Sequence, residues 1–575
     1  MPIHNADIAA MFDEIADLLD IQGDNPFRIR AYRNAARTVL DLGRELRDMV
    51  AAGDDLTKLQ GIGKDLADKI REIVETGTFQ TLDKLRKQLP PGITDLLQIP
   101  GLGPKRVKTL YKDLKIESLA QLEKAAQEGR VRALAGFGEK TEHQILGAIQ
   151  AKTETGQRFL RASASAYAES LADYLRQTPG VEKVEIAGSY RRARETVGDL
   201  DLLAVAGPKS PVMERFAAYD EITKVLSHGE TKSSAILRSG IQVDLRVVEA
   251  KSFGAALHYF TGSKAHNIAI RKLGQERGLK INEYGVFRGE KYLAGKTEEE
   301  VYRKVALPFI PPELREDAGE IEAAREGELP DLVRLEDLRG DLHAHTTASD
   351  GKDTLVHMAE AAQRRGYEYL AVTDHSQRLA MIGGLDGKRL LKQADEIDRL
   401  NGKLKGFVVL KGIEVDILEN GDLDLPDEVL GRLDLVIGSV HSGFKYPLAK
   451  QTERILRAMD RPHFTMLGHP TGRLLLDREP FEVDMPRIIR HAAERGCFLE
   501  LNAHPLRLDL NDAHCQMAKD EGVMVGLGTD AHSAMDLEFM RYGVGQARRG
   551  WLEKKNVLNT RPLKELRKLL AKTMG

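Results

Sequence analysis

Nine side chains able to hold a metal ion fall one after another along the last 236 residues: His343, His345, Asp350, His375, Glu414, His441, His469, Asp530 and His532. Nearly all of them close an apolar, strand-like run, and eleven of the chain's 16 histidines lie in this stretch. Packing alone gives no reason for imidazoles and carboxylates to recur at strand ends, so the pattern reads as a multinuclear metal site. A second acidic set, Asp199, Asp201 and Asp244, lies in the first half behind a Gly188-Ser189 turn. Asp199 and Asp201 alternate on one predicted strand, so their carboxylates share a face, and IQVDLRVV at 241–248 brings Asp244 on a neighbouring strand. Three carboxylates can hold two magnesium or manganese ions roughly 3.5–4 Å apart, the arrangement for in-line displacement at a phosphate. Gly188 and Ser189 would offer an amide and a hydroxyl to phosphates, and Arg192 would neutralise charge on a leaving pyrophosphate.

The elements that must position these groups follow from periodicity. From residue 340, the runs GDLHAH, YLAVTDH, FVVLKGIEVD, LDLVIGSVH, FTMLGHP, CFLELNA and VMVGLGTDAH alternate with helical segments, which predicts a (β/α)7-type barrel with its ligands at one mouth. His357, His463, His491, His504 and His514 fall in helix-like or loop stretches and read as ordinary surface or core residues.

In the first 150 residues LQGIGKDLADKI, IPGLGPKRVKTL and LAGFGEKTEHQI repeat an apolar-Gly-apolar-Gly core running into an amphipathic helix. Gly61, Gly63, Gly101, Gly103, Gly136 and Gly138 allow tight turns, and the helix amides behind them suit a phosphate, with Lys64 and Lys105 just after two of the turns. One such turn would be an ordinary helix connection; three resemble helix-hairpin-helix motifs, which grip a nucleic-acid backbone without reading its sequence.

At 575 residues, 42% hydrophobic and 30% charged, the chain has length for several packed domains. A net charge of −3 argues against indiscriminate nucleic-acid binding, so any DNA contact must come from local patches. Residues 311–338 carry three basic against ten acidic side chains behind Pro311-Pro312, and are expected to form a solvated linker. Two cysteines exclude a disulfide framework and suit a reducing compartment, and no run reaches transmembrane length, so a cytoplasmic, nucleoid-associated monomer without membrane contact is expected.

The central motifs, from GSYRRARETVGDLD through HYFTGSKAHNIAIRKL to LKINEYGVF, resemble the X family of DNA polymerases. By that resemblance Tyr259 and Phe260 form the barrier beneath the sugar, and Gly262 and Lys264 line the nucleotide, with Lys264 standing where the animal enzyme has an acidic residue. Asn267 reaches the minor-groove edge of the incoming base, and Arg271 touches the template strand. The basic stretch NPFRIRAYRNAARTV resembles the small N-terminal domain of DNA polymerase beta. Arg28 then falls at a phosphate-binding position and Lys69 at the Schiff-base nucleophile, although Asp65 stands where the relative has a basic residue. The C-terminal segment resembles the PHP (polymerase and histidinol phosphatase) domain. This implies one metal on His343, His345, Glu414 and Asp530, a second on Glu414, His441 and His469, and a third on Asp350, His375 and His532, as up to three zinc or manganese ions.

The expected architecture is multidomain: a helical DNA-binding domain (1–90), a helix-hairpin-helix domain (91–155), an α+β nucleotidyltransferase palm (156–250), a thumb (251–312), the acidic linker (313–338) and an α/β PHP barrel (339–575). The expected function is a DNA-directed polymerase that fills short gaps in base-excision repair. Its substrates are gapped or primer-template DNA and dNTPs, and it carries a 3′–5′ exonuclease that could extend to abasic-site or 3′-phosphate cleavage. Alternatives from other classes are an untemplated nucleotidyltransferase fused to a small-molecule phosphatase, and a noncatalytic repair scaffold.

Overall fold

The computed structural model describes residues 3–40, 42, 44–90, 92–97, 99, 102–134, 136–155 and 157–574. The chain forms two compact units: residues up to Arg158 with Asp220–Thr223 and Leu237–Ile241, and the remainder.

The first unit is helical. Helix Asn5–Gln22 buries Ile8, Phe12, Ile15 and Leu19 at a spacing of three to four, and Phe12 meets the Phe79 ring edge-on at 5.9 Å. Helix Pro26–Leu40 buries Ile29, Tyr32, Ala35, Ala36 and Val39, which leaves Arg28, Arg30 and Arg37 on its exposed face.

In the second unit, strand Asp199–Ala206 pairs antiparallel with Val181–Ile186 and parallel with Gln242–Val248. Helices Phe253–Thr261 and Lys264–Glu276 follow, then a three-stranded antiparallel sheet, Lys280–Asn282, Gly285–Arg288 and Lys291–Ala294. Gly254 is required where its helix meets the chain: a Cβ there would lie 2.2 Å from the Thr297 backbone.

Beyond this, seven parallel strands run in chain order: Gly340–Asp341, Tyr369–Val372, Val408–Asp416, Leu435–Ser439, Met466–Leu467, Phe498–Asn502 and Val525–Gly528. A parallel bridge between Ala344 and Ala531, with the His345 amide donating to the Ala531 carbonyl at 2.8 Å, brings the first strand to the last and nearly closes the barrel. The strands are buried almost throughout, which explains why they read as continuous apolar runs.

The acidic stretch is not the solvated linker expected from its charge. Leu314, Ile321, Ala324, Leu332 and Val333 are buried, and Glu320–Glu326 is a helix. Its acids do not repel one another into solvent because partners meet them: Glu320 shares a hydrogen bond with His266 Nδ1 at 2.6 Å, Glu313 meets the Arg548 cation at 2.7 Å, and Glu316 takes Arg192 and Arg549. Arg315, wholly buried, pairs with Glu298 and lies 5.2 Å from the Tyr302 ring centroid.

Burial alone would raise the Glu298 carboxyl, but Arg315 and Arg191 outweigh it and hold the group at about 2. Its folded value therefore lies below the ordinary 4.5, so the pair's contribution to stability is full above pH 4.5 and is lost as pH falls toward 2. Arg315→Ala removes the buried partner of Glu298 and leaves its charge to Arg191 alone. It is expected to cost about 3–5 kcal/mol of local stability, read as lost hydrogen-exchange protection over residues 298–324. Unchanged protection would show the pair to be dispensable.

Candidate functional site

Six of the barrel's seven strands deliver ligands near where the backbone leaves the sheet, and Phe498–Asn502 delivers none of the nine. His343 and His345 follow Gly340–Asp341, His375 follows Tyr369–Val372, and Glu414 lies near the end of Val408–Asp416. His441, His469, Asp530 and His532 follow the later strands, and Asp350 comes from the first loop. Donor atoms gather within 4.8 Å in three sets: His345, Asp350, His375 and His532; His343, His345 and Asp530; His375, Glu414 and His441. His469 Nε2 lies 2.8 Å from Glu414 Oε1. All nine side chains come together, but the sharing differs from the partition the resemblance implied. His345 also joins the Asp350 set, and His375 also joins Glu414 and His441, because both imidazoles stand between neighbouring sets.

The donor set fits metal ions. His343 Nε2, His345 Nδ1 and His469 Nδ1 are buried without a hydrogen-bond partner, a costly state for polar atoms unless a cation meets them, and His375 Nδ1 and Glu414 Oε2 lie 2.8 Å apart without the alignment of a hydrogen bond. The field is right as well. Burial opposes protonation of His441 and His532, yet Glu414 and Asp416 push the first up to about 9, while Asp350 and Asp530 push the second up to about 10. Burial would likewise raise Glu414 and Asp530, but the surrounding imidazoles hold both well below the usual carboxylate range. Asp530 and His469 adopt left-handed backbone, φ 55° and 26°, which non-glycine residues take up at a cost.

Sequence reasoning missed the groups that orient these ligands. Glu500, fully buried, takes His343 Nδ1 on Oε1 at 2.6 Å and accepts the His469 amide on Oε2 at 2.6 Å. Asp416 lies 3.2 Å from His441 Nδ1, and the Asn502 amide donates to Asp530 Oδ2 at 3.1 Å. Asp374 accepts from the Thr346 amide, the Ser349 hydroxyl and Gln393. The signal was available: an acid embedded in an apolar strand run, as in FLELN, is seldom buried without a partner.

In the other half, Asp201 stands directly opposite Asp244 across the parallel pair, and Asp199 sits one pleat before Asp201. A Cβ on Gly188, whose φ is 61°, would fall 2.3 Å from Asp201 Oδ2, so only glycine lets this turn close on the carboxylate. Burial, with Asp199 and Asp244 adding to it, pushes the Asp201 carboxyl up to about 7. Asp244 Oδ1 accepts from Gln242 Nε2 at 3.0 Å. The three aspartates are not among the donor sets that close within 4.8 Å among the described residues.

Around them, Ser189 belongs to the short helix Gly188–Arg191. Arg192 donates through Nε to Glu316 at 2.9 Å and through Nη1 to the Thr261 carbonyl at 2.7 Å. Tyr259 and Phe260 are half-buried and meet edge to face at 5.1 Å. Asn267 Nδ2 donates to the carbonyls of Tyr259 (2.7 Å) and Gly262 (3.1 Å), while its Oδ1 is buried and unpartnered. Arg271 Nε donates to the Asn267 carbonyl, and Lys264 is exposed.

Among the repeats, Gly61 (φ 75°) and Gly63 precede helix Lys64–Thr76, Gly103 precedes Pro104–Leu114, and Gly136 (φ 82°) and Gly138 precede Glu139–Thr155. Gly101 lies outside the described residues. Lys64 and Lys105 are both exposed. Arg28 pairs with Asp24 at 3.0 Å. The Lys69 amine pairs with Asp65 at 2.5 Å, and Arg71 turns to Asp68.

Two outcomes follow from this geometry. Glu500→Gln is expected to weaken metal retention in the barrel by about 10–100-fold, measured as metal retained against a chelator; retention equal to the unaltered protein would remove Glu500 from the ligand support. For the aspartates, a cation must displace the Asp201 proton. Manganese affinity in titrations of nucleotide addition should therefore rise about ten-fold per pH unit up to 7 and level off above it, whereas a flat profile would mean that Asp201 is already ionised.

Comparison with known proteins agrees with the segments just described. Family models match a helix-hairpin-helix domain at residues 3–79, a SAM-like helix-hairpin-helix tandem at 93–151, a DNA polymerase beta thumb at 256–316 and a PHP domain at 341–504. The DNA polymerase/3′-5′ exonuclease PolX of Bacillus subtilis (strain 168) is 41% identical over 572 residues, 99% of this chain and 99% of that protein. A probable phosphatase of Thermoanaerobacter sp. (strain X514) is 28% identical over 231 residues, 38% of this chain and 89% of that protein. A probable phosphatase of Caldanaerobacter subterraneus is 30% identical over 208 residues, 34% and 77% respectively. Full-length identity to one such enzyme, with models matching its hairpin, thumb and barrel segments, shows that the chain belongs to the PolX family of DNA polymerase/3′-5′ exonucleases.

Proposed function

We propose that this chain fills short gaps in DNA during base-excision repair and trims 3′ ends in its barrel, the two reactions running in separate sites. The observation that carries the reading is the register placing Asp201 opposite Asp244, far in sequence from nine donors that converge at the barrel mouth. Magnesium or manganese at the aspartates, and zinc or manganese in the barrel, would when bound polarise the phosphate and activate the attacking hydroxyl or water. The chain's own groups do the rest. Gly188 and Ser189 present an amide and a hydroxyl to the triphosphate, Arg192 supplies positive charge beside them, and Asp201 gives up its proton as a cation enters. Tyr259 and Phe260 stand under the sugar, Gly262 and Lys264 line the nucleotide, Asn267 and Arg271 face base and template, and the three hairpins with Arg28 hold the backbone of gapped DNA.

In this reading the domain limits are those expected from the sequence, apart from the acidic stretch, and the protein acts as a cytoplasmic monomer on dNTPs. Lys69 is the candidate nucleophile for 5′-deoxyribose-phosphate removal. Its pairing with Asp65 sets this role apart from the main activities, since a free amine must attack the sugar aldehyde. A second reading for the barrel, removal of 3′-phosphates, is supported by the probable phosphatases that match it.

The test is a gapped-duplex assay with dNTPs and manganese. Asp244→Ala is expected to reduce synthesis by at least about 100-fold and spare 3′-end degradation, and His441→Ala to do the reverse. Loss of both activities in either variant would defeat the two-site reading.

A further inference from the structure

The basic loop between the Gly188-Ser189 turn and Asp199 is held from the barrel side. Ala193, buried and left-handed at φ 55°, packs on Gly545 of helix Met540–Arg549; a Cβ on Gly545 would fall 3.2 Å from the Ala193 Cβ, so glycine lets the helix approach. Glu195 accepts from Gln546 Nε2 at 2.7 Å and from Arg473 Nη2 at 2.5 Å. Arg549, almost wholly buried, donates through Nη1 to the Arg192 carbonyl at 3.1 Å and to Glu316 Oε1 at 2.9 Å, and through Nη2 to Asp512 at 2.5 Å. The same Glu316 oxygen accepts from Arg192 Nε at 2.9 Å.

One carboxylate is thus shared between two guanidiniums. Were Glu316 paired with Arg192 alone, the pair would be neutral, and a triphosphate would have to compete with a carboxylate for the arginine. With Arg549 on the same oxygen and Arg194 3.7 Å from it, three guanidiniums face two carboxylates, Glu316 and the Asp512 that also meets Arg549, so the cluster keeps a net positive charge. Arg192 spends Nε and Nη1 on Glu316 and the Thr261 carbonyl, which leaves Nη2 as its donor for a phosphate. We propose that Arg549 and helix Met540–Arg549 of the barrel are positioning elements of the polymerase nucleotide site, sharing the Glu316 carboxylate with Arg192 so that Glu316 does not by itself neutralise the arginine and its charge is available to the incoming nucleoside triphosphate. The proposal rests on the reading of Arg192 as a triphosphate contact. It makes the barrel a structural part of nucleotide binding, independent of the barrel's own chemistry.

The experiment measures KM for dNTP and kcat on gapped duplex with the full chain, alongside 3′-end degradation as a report on the barrel. Arg549→Ala should raise KM roughly five- to ten-fold with kcat changed less than about two-fold. Glu316→Gln should lower KM, and the double variant should return to the Glu316→Gln value, because no carboxylate then competes for Arg192. A merely structural loosening would instead accumulate, leaving the double variant worse than either single one, and that result or an unchanged KM in Arg549→Ala would overturn the proposal. Arg192→Ala separates the two layers: an unchanged KM there defeats the triphosphate contact itself, whereas a raised KM there with none in Arg549→Ala defeats only the present inference. Should Arg549→Ala lose 3′-end degradation as well, Arg549→Lys decides, since it keeps the charge: KM near that of the unaltered protein supports the proposal, and KM raised five-fold or more with degradation intact overturns it.

Discussion

Glu414 is buried in the barrel with the imidazoles of His343, His345, His375, His441 and His469 all within 3.7 Å of its oxygens. A carboxylate out of water needs compensating positive charge, and the imidazoles can provide it only by taking up protons or by turning their lone pairs to a shared cation. That constraint governs the mouth of the barrel. It explains why His441 is pushed toward its protonated form, why several ring nitrogens have no hydrogen-bond partner, and why buried acids, Glu500 and Asp416, stand behind His343 and His441. The barrel's seven short strands are the means of bringing ligands nearly 190 residues apart in sequence to one place.

The aspartates of the nucleotidyl-transfer half answer the same constraint differently. Here burial first, and then repulsion from Asp199 and Asp244, push the Asp201 carboxyl up to about 7, while Lys232 stands 3.7 Å from Asp244. Parallel register fixes Asp201 against Asp244, and the bare Cα of Gly188 lets the Gly188-Ser189 turn close on Asp201. The barrel thus gathers buried imidazoles and acids in one place, whereas the sheet gathers carboxylates with a proton drawn to Asp201.

Between the two runs a charged seam. The acidic stretch 313–338, Arg192, Glu195, Arg473, Arg548 and Arg549 form pairs in which acids of one segment meet cations of another. Buried charge of this kind adds little net stability over apolar packing but is costly to leave half-made, so it favours one arrangement of palm, thumb and barrel within their common unit. The nucleotide loop is therefore shaped by residues that follow it by more than 300 positions.

Local pattern was enough to read much of this protein. Strand runs ending in His or Asp, the alternation of Asp199 with Asp201, and three Gly-x-Gly turns are short-range features, and short-range features are written directly in the chain because backbone period and turn chemistry depend on neighbours. Relations between distant segments decided the rest. The sharing of His345 and His375 between donor sets and Glu500 behind His343 depend on distances that no spacing encodes. The acidic stretch shows the limit most clearly: its composition alone described a solvated linker, but whether a carboxylate faces water or an arginine depends on what tertiary packing sets opposite it.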